Sequence, residues 1–363
     1  MKKLTLIITV VLSIILLSGC TKSTENNNIE TSFVKNSNGN LIITDNVTAE
    51  FGQIPKTPSE CCIYKATIKS INDNSIDEYF FNFEAEKTSN GENILLELNN
   101  KHAIVSDKSF VFYTDNGNKF DDAVSFYLTD PSAIPLDNSL EFSFATKENA
   151  INDIMTFIEK IDMPRDKAII EQSISMTKEN FNDYKAFLNK TAEKENDSKI
   201  ITQAKNVAKI ESEDFYYFDI CFSKDNIPIY SGPVHYYGDG ENDTFAGTRF
   251  TVVYTCSGIE YVSAFFLYQP NEIIERNKII DFNQALNLLK NKYENIFFDS
   301  KITFEKAELV YLPFPQNTLY NRFNEFILRP FYAFYGYQDA EIEGDHYRSD
   351  FTVYFDAVSG KEL

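Results

Sequence analysis

The chain has 363 residues, of which 43% are hydrophobic and 15% are aromatic, a composition typical of a folded protein with a substantial core. Its 54 acidic residues outnumber its 34 basic residues, which gives a formal net charge of −20 at pH 7. Phosphate backbones repel such a charge, so the composition argues against a nucleic-acid partner. At about 100 to 200 residues per domain, the length favours two or three structural units.

The N-terminus has the pattern of a signal peptide. Lys2 and Lys3 precede an apolar run, Leu4 to Leu17, which only hydroxyl residues interrupt. This run of 14 residues is too short to cross a hydrocarbon layer of about 30 Å as a helix. Residues 1–19 are therefore predicted to be a cleaved export signal, and no later segment approaches membrane-spanning length.

The end of this run, Leu17-Ser18-Gly19-Cys20, resembles the lipobox of bacterial lipoproteins, in which a large aliphatic residue and two small ones precede a cysteine. The resemblance implies that Cys20 becomes the first mature residue and carries acyl chains such as palmitate. Two acyl chains suffice for stable anchoring, so the protein is expected on the extracytoplasmic face of the cell membrane. The alternative is an ordinary secretory signal that contains a cysteine.

Residues 20–40 are predicted to be the lipidated cysteine and a flexible tether, because Thr21 to Thr31 is polar and aperiodic. Loss of Lys2 and Lys3 on cleavage leaves 32 basic against 54 acidic residues, a net charge of −22. Anionic lipid headgroups repel such a body, so the folded part should stand off the membrane. Abundant Asn, Ile, Lys and Phe are typical of AT-rich genomes and favour a low-GC Gram-positive host.

Residues 41–145 are predicted to form a β-rich N-terminal domain. Short alternating or aromatic runs are separated there by turn signals such as Asp115-Asn116-Gly117. The predicted strands cover residues 63–69, 78–85, 93–98, 110–113 and 123–128.

A central unit, residues 146–275, is predicted to contain helices and a sheet. From Lys147 the apolar residues recur at helical spacing, which predicts an amphipathic helix, and a second helix is predicted over 178–188. The charged stretch 190–199 is predicted to be a solvated loop or a fraying helix end. The predicted strands of this unit cover residues 167–176, 215–222, 227–230, 249–254 and 259–268.

The C-terminal unit, residues 276–363, is predicted to consist of one amphipathic helix and a sheet. The helix covers 281–295, and the strands cover 301–312, 326–335 and 349–355. An offset of 135 residues aligns its helix with that of the central unit, which indicates an internal repeat. The alternative is a chance match between two amphipathic helices. The predicted fold class is α+β, with antiparallel sheets each covered by an amphipathic helix.

The final segment, from Phe351 to Glu362, resembles the closing strand and turn of a PepSY module, with Asp356-Ala357 before a Ser359-Gly360 turn. The helix and strands that precede it follow the order of such modules. Phe331 or Tyr332 stands where a tryptophan is usual, and the loop from Pro313 to Glu325 is long. Paired modules of this kind occur in uncharacterised clostridial lipoproteins and in extracytoplasmic regulators of a cell-wall sensor kinase. The resemblance implies no catalytic residues.

Sequence motifs for catalysis are weak. His102, His235 and His346 lie far apart in the sequence and form no zinc-binding or catalytic spacing. Ser175 and Lys178 have a serine-to-lysine spacing that would bring a base near a nucleophile on a helix, but chance accounts for it. Single substitutions at these positions are therefore expected to leave activity intact, and neither a cofactor nor a metal is predicted.

Acidic loops offer weak calcium candidates. Asp239, Glu241 and Asp243 lie close together in a predicted flexible loop beside His235, and carboxylate oxygens are suitable calcium ligands. The alternative is a solvated acidic loop without an ion. A second, EF-hand-like spacing begins at Asp73 but lacks the required glycine, so a polar turn is favoured there.

The four remaining cysteines, Cys61, Cys62, Cys221 and Cys256, lack zinc-ribbon spacing. An exported location permits a disulfide between Cys221 and Cys256, while an anaerobic host would leave both as thiols.

The strand Phe331–Tyr337 carries large rings on both faces, so one face is predicted to be core and the other either core or a contact surface. These features are compatible with two functions. The first is a non-enzymatic, membrane-anchored lipoprotein that binds an envelope protein or peptide, with a regulatory role. The alternative is a ligand-binding lipoprotein or hydrolase with a dispersed acidic site. Converging carboxylates with perturbed pKa values would favour the second, and a smooth acidic surface would favour the first.

Overall fold

A computed structural model gives the structure of most of the chain. The described residues are 41–129, 136–195, 198–238, 241–294, 296, 300–316, 325–342 and 345–363. Within these ranges only the backbone is described at residues 126, 129, 195, 233–238, 241–246, 341–342 and 345–347. The predicted signal peptide, Cys20 and the tether lie outside the described residues.

The described part of the chain contains six α-helices and a short 3-10 turn at Arg165–Lys167. The helices are α1 (Asp73–Phe81), α2 (Gly117–Thr129), α3 (Lys147–Lys160), α4 (Lys178–Glu195), α5 (Ser198–Ala208) and α6 (Phe282–Glu294). None of these helices is both long enough and apolar enough to cross a membrane.

Eighteen strands are described. They are β1 (Leu41–Thr44), β2 (Val47–Ala49), β3 (Glu60–Ile68), β4 (Glu86–Asn90), β5 (Asn93–Leu98), β6 (Lys101–Val105), β7 (Ser109–Thr114), β8 (Ala168–Met176), β9 (Phe215–Lys224), β10 (Ile227–Pro228), β11 (Pro233–Gly238), β12 (Glu241–Ala246), β13 (Arg249–Thr255), β14 (Gly258–Phe265), β15 (Tyr268–Lys278), β16 (Ile302–Pro315), β17 (Glu325–Ile342) and β18 (Asp345–Asp356).

Most strands belong to two large sheets. A seven-stranded sheet has the order β1-β2-β16-β17-β3-β15, with β18 also paired to β17. A nine-stranded sheet has the order β10-β9-β13-β14-β7-β6-β5-β4, with β8 also paired to β9. Both sheets are antiparallel apart from the β2–β16 pair, and β11 and β12 form a separate hairpin. The expected α+β class with antiparallel sheets is confirmed.

The two predicted amphipathic helices each pack on one large sheet. Helix α6 buries Phe282, Leu286 and Leu289 in a core shared with the seven-stranded sheet. The Asp281 side chain accepts a hydrogen bond from the Gln284 amide (2.8 Å), and the Gln284 side chain accepts one from the Asp281 amide (2.8 Å). This capping box fixes the start of the helix. Helix α3 buries Ile154 against the nine-stranded sheet.

Three other helices cover the opposite face of the nine-stranded sheet. Helices α2, α4 and α5 share a core with alternate residues of β9 and β13, among them Phe215, Tyr217 and Val253. Strand β9 therefore contributes neighbouring residues to two cores, because Tyr216 and Phe218 face α3. Strand β9 is therefore covered on both faces.

Two predicted strands lie wholly or partly in helices. The first half of the predicted strand at 78–85 lies in α1, and its second half is turn and irregular chain. Helix α1 buries Ile76 and Phe80 at a spacing of four and is capped by the Asn72 side chain. Residues 123–128 lie in α2, where Phe120 and Val124 have the same spacing and are buried. A short run of aromatic residues such as Tyr79-Phe80-Phe81 fits a buried strand as well as a buried helix, because it is too short to show the hydrophobic period of either. The stretch predicted as a loop or fraying end at 190–199 instead includes the last turns of α4 and the start of α5.

The sheets divide the chain differently from the predicted boundaries at residues 145 and 275. Strand β3, from the N-terminal region, pairs with β15 and β17, and β2 pairs with β16. Strand β7, from the same region, pairs with β14 of the central unit. The N-terminal region therefore supplies strands to both sheets.

The two sheets meet where the hairpin after β9 reaches β16. The amide of Tyr230 donates to the carbonyl of Tyr311 (3.0 Å), and Ile229 forms a bridge with the same residue. The Tyr64 hydroxyl of β3 donates to the Asp225 carboxylate in the turn between β9 and β10. Polar contacts thus tie the sheets together at this point.

Replacing Leu289 by aspartate should unfold the seven-stranded sheet and its helix. Leu289 is fully buried in their shared core, and an unpaired carboxylate there costs about 3 to 5 kcal/mol, comparable to the stability of a domain. Chemical unfolding followed by circular dichroism measures the effect. Asn283→Asp, on the exposed side of the same helix, is the matched control, and equal stability of the two variants would contradict the packing.

Candidate functional site

A polar row crosses the nine-stranded sheet on the face that α2 partly covers. Thr251 of β13 lies directly opposite Asp219 of β9 on one side and Ser263 of β14 on the other. Thr251 is only 1% exposed and Ser263 only 4%. Cross-strand neighbours lie about 5 Å apart, so these side chains form one contiguous group inside the protein. Such buried groups require hydrogen-bond partners.

Helix α2 brings a second carboxylate to this row. The helix begins at Gly117, where an added Cβ would lie 2.2 Å from the Glu260 carbonyl oxygen of β14, so only glycine permits this close approach. One turn further, the Tyr261 hydroxyl donates a hydrogen bond to the Asp121 carboxylate. The charge of Asp121 raises the pKa of Asp219, and the charges of both aspartates raise the pKa of Tyr217. The two carboxyl groups are therefore close together.

Three polar atoms of this group lack hydrogen-bond partners. Asp121 Oδ1, Asp219 Oδ1 and Thr251 Oγ1 are the buried side-chain atoms of the described residues that are left unpaired. A buried acceptor without a donor costs about 1 to 3 kcal/mol. An arrangement that destabilises the free protein in this way is typical of a binding or catalytic site.

The pKa values of the two carboxyl groups reflect this burial. Desolvation raises the pKa of Asp121 to about 6, although the hydrogen bond from Tyr261 and the charge of Arg249 oppose the rise. Desolvation and the neighbouring Glu171 raise the pKa of Asp219 to about 6, again against Arg249. Both groups can therefore exchange protons near neutral pH.

Arg249 provides the positive charge of the group. It lies beside the Tyr217 hydroxyl, to which it donates a hydrogen bond, and its charge acts on both aspartates. Within the described ranges no ion pair of 4 Å or less joins Arg249 to either aspartate. With both carboxyl groups ionised, the two aspartates and Arg249 together carry a net charge of −1.

A β-bulge extends the acidic group. The register of β8 shifts between Ile170 and Gln172, which makes Glu171 the extra residue, and its charge raises the pKa of Asp219. The Glu171 carboxylate accepts a hydrogen bond from the Ser231 hydroxyl (2.6 Å). Burial and the same carboxylate raise the pKa of the Cys221 thiol. Glu171 is exposed, whereas Asp121 and Asp219 are half-buried.

Tyrosines continue this region onto the seven-stranded sheet. The ring of Tyr230 stacks on that of Tyr335 (6.4 Å between centroids) and meets that of Tyr354 edge-on (5.7 Å). Glu308 pairs with Lys306 (2.8 Å), and its charge acts on both Tyr230 and Tyr335. We call the whole set the acidic tyrosine cluster; it consists of Asp121, Glu171, Asp219, Glu308, Arg249, Tyr217, Tyr230, Tyr261, Tyr335, Tyr354 and Thr251.

The predicted calcium candidates fall largely outside the described side chains. Asp239 is not among the described residues, and Glu241 and Asp243 are described only as backbone of β12. Glu241 pairs with Gly238 and Asp243 with Tyr236, so a hairpin replaces the expected flexible loop. Among the described residues, no three His, Cys, Asp or Glu side chains are arranged to hold a metal ion.

The other singled-out residues have local partners. Ser175 donates to the Leu140 carbonyl (2.8 Å), and His102 contacts the Glu97 carboxylate (3.2 Å). The side chains of His235 and His346 are not among those described. Asp73 and Asp77, from the EF-hand-like spacing, both contact Lys87, at 3.3 and 3.0 Å.

The remaining cysteines are free thiols, three buried and Cys256 exposed. The considered Cys221–Cys256 disulfide is therefore absent from the structure. In the aromatic strand β17, Tyr332 and Phe334 face the core under α6, while Phe331 and Ala333 are buried on the opposite face. Both faces of that segment are core.

Sequence reasoning did not single out the aspartates of this site. One signal was present: Asp219 interrupts an otherwise apolar and aromatic strand, from Phe215 to Phe222. Charged side chains are rarely buried in such a strand unless they are paired or have a functional role. Asp121 gave no comparable signal, since it lies in a charged stretch beside Asp122.

Comparison with known proteins shows a shared fold. No protein-family model matches the sequence, and no curated protein matches it. The structure resembles the crystal structure of an uncharacterized protein from Eubacterium rectale ATCC 33656, with a TM-score of 0.61 and 14% sequence identity. The match covers 89% of this chain and 93% of that chain. At this identity the similarity concerns the fold alone.

Replacing Asp219 by asparagine should stabilise the free protein at pH 7 by about 1 to 3 kcal/mol. The folded state raises the pKa of Asp219 from 3.8 to about 6, so it binds the proton more tightly than the unfolded state. Stability due to this group is therefore full below about pH 4 and is lost as the pH rises to about 6. Urea unfolding between pH 4 and 7 measures the difference.

The exposed Asp183→Asn is the matched control for this prediction and should change the free energy of unfolding at pH 7 by less than about 0.5 kcal/mol. If Asp219→Asn instead destabilises the protein equally at pH 4 and pH 7, the carboxylate is a satisfied structural partner.

Proposed function

We propose that this protein is a lipid-anchored, extracytoplasmic binding protein without a catalytic role, and that it takes up a group of an envelope protein or peptide at the acidic tyrosine cluster. One observation carries the proposal: three buried acceptor atoms, on Asp121, Asp219 and Thr251, lack donors in the free protein. A partner that supplies donors would recover the free energy that these atoms cost. If the partner needs the bound group for its own activity, binding at the cluster would regulate that activity.

The lipobox supports the anchored location. Leu17 to Cys20 fit its pattern residue by residue, and the polar stretch that follows gives the folded part room above the membrane. A net charge of −20 favours encounter with positively charged partners.

The order of elements supports the proposed PepSY-like repeat. Helix α3 precedes the antiparallel strands β8, β9 and β13, which are neighbours in the order β8-β9-β13. Helix α6 precedes β16, β17 and β18, which pair in the same way. A helix followed by three adjacent antiparallel strands therefore occurs twice, although α4 and α5 are inserted between β8 and β9 and β10 to β12 between β9 and β13. A tandem duplication with insertions in the first copy would produce this order.

A hydrolase is the second candidate, because Asp121 and Asp219 have pKa values of about 6, suitable for general acid–base chemistry. Two surface grooves, of about 410 and 480 Å³, lie elsewhere, and neither is lined by these aspartates. The unpaired oxygens are instead enclosed within the protein. Enclosure suits a small group more than a bond in a large substrate, so binding is preferred.

Replacing Cys20 by serine should release the protein from the membrane or block its processing. Serine lacks the thiol that accepts the lipid, and each buried methylene of the lost acyl chains contributes about 0.8 kcal/mol of membrane affinity. Fractionation of cells followed by immunoblotting measures the outcome. A Cys256→Ser variant, which alters an exposed thiol, should remain membrane-bound. Firm membrane association of the Cys20→Ser variant would contradict the anchor.

Photo-crosslinking in intact cells tests the binding role. A photoreactive residue at Glu171, which is exposed and whose charge acts on the half-buried Asp219, should capture one predominant partner. The double substitution Asp121→Asn and Asp219→Asn should abolish this capture, while His102→Ala and Ser175→Ala should retain it. Capture that persists in the double variant would exclude the cluster as the binding site. Turnover of the captured molecule, lost in the double variant, would favour the hydrolase.

A further inference from the structure

We infer that Asp121, Asp219 and Thr251 form a binding site for a primary ammonium group, such as that of a lysine side chain or a polyamine. This inference deepens the proposed binding function and rests on it for its biological setting. It names the chemical group that enters the cluster.

The number of unpaired atoms matches an ammonium group. Three acceptors without donors are present: Asp121 Oδ1, Asp219 Oδ1 and Thr251 Oγ1. A primary ammonium carries three N–H donors and no acceptor, so a single group can satisfy all three. Hydrogen bonds to ionised carboxylates are roughly twice as strong as neutral ones.

Thr251 is an observation independent of the acidic residues. Its side chain is 1% exposed and carries no charge, yet its hydroxyl oxygen has no partner. It faces the same side of the sheet as Asp219, directly across the β9–β13 pair. A threonine with only a structural role at this position would hydrogen-bond within the protein, as Thr248 does to the Phe266 carbonyl (2.9 Å).

The charge of the site is also complementary to a single cation. The two aspartates and Arg249 sum to −1, so one ammonium neutralises the group. Glu308 is already paired with Lys306, and Glu171 is exposed, so that water screens its charge. Buried charges are stable only when they are paired, which makes this balance an energetic requirement.

Other cations fit less well. Calcium prefers six to eight oxygen ligands, whereas three unpaired oxygens are found here. A guanidinium carries five donors in a plane, which exceeds the three unpaired acceptors. Exposed Glu171 offers a guiding charge at the surface for an approaching cation.

Isothermal titration calorimetry on the full chain, purified in detergent to accommodate an anchored N-terminus, tests the inference. The probe is n-butylammonium at fixed ionic strength, and wild type should bind one equivalent saturably. Asp121→Asn and Asp219→Asn should each weaken binding by about tenfold or more, and Thr251→Val by about threefold to tenfold. Asp183→Asn, an exposed charge removal, should change the affinity by less than about twofold.

Further probes and a fold check make the result decisive. Neutral n-butanol should not bind, and n-butylguanidinium should bind more weakly than n-butylammonium. Nα-acetyl-lysine methylamide and spermidine then distinguish a peptide lysine from a free polyamine. Each variant is compared with wild type by circular dichroism, and Thr251→Val, which is nearly isosteric, keeps the test valid if an aspartate variant misfolds.

Several results would overturn the inference. No saturable binding by wild type would mean that the three atoms bind ordered water only. Equal weakening by Asp183→Asn would mean non-specific attraction to an acidic protein, and tighter guanidinium binding would assign a different group. Loss of the cellular crosslink with ammonium binding intact would reject the proposed partner role alone. Crosslinking without ammonium binding would reject this inference alone.

Discussion

The nine-stranded sheet is covered on both faces, and this constraint decides where the protein can hold polar groups. Strand β9 buries Tyr216 and Phe218 under α3 and Tyr217 under the helices of the opposite face. Every other side chain of this strand must therefore be apolar or hydrogen-bonded, because a buried polar group without a partner lowers the stability of the fold. Asp219 is the exception, and its position fixes the neighbourhood in which Asp121 and Thr251 also lie. The candidate site thus results from the helices that cover both faces of the nine-stranded sheet.

The position of this site also relates the two sheets. Strand β8 brings Glu171 next to Asp219 through its bulge, and the chain beyond β9 carries Tyr230 to β16 of the seven-stranded sheet. An occupant of the aspartate site would thus act on a region that both sheets share. Glu171, the exposed residue whose charge acts on Asp219, has the same sign as the net charge of the whole chain. Recognition of a cation and the joining of the sheets are located in the same part of the molecule.

The sequence predicted those features that depend on long periodic patterns. The stripe of α6, with Leu286 and Leu289, has to be buried, and the alternating strands after it offered the only large apolar surface nearby. Patterns failed where apolar runs were short, as at Tyr79-Phe80-Phe81, and where pairing was long-range, as between β3 and β17. The site could not be predicted for the same reason. Asp121 and Asp219 come together through tertiary packing of α2 on β14, which no local spacing encodes.

The central claim is that one carboxylate oxygen of Asp121 and one of Asp219 lack donors in the free protein so that a cation can supply them. Carbon-13 NMR titration of the aspartate carboxyl groups tests this claim most directly. The account predicts two carboxyl groups that titrate near pH 6 in the free protein and at distinctly lower pH in the presence of n-butylammonium, because the bound charge favours their ionised form. Two carboxyl groups that titrate near pH 4 with or without the amine would contradict it.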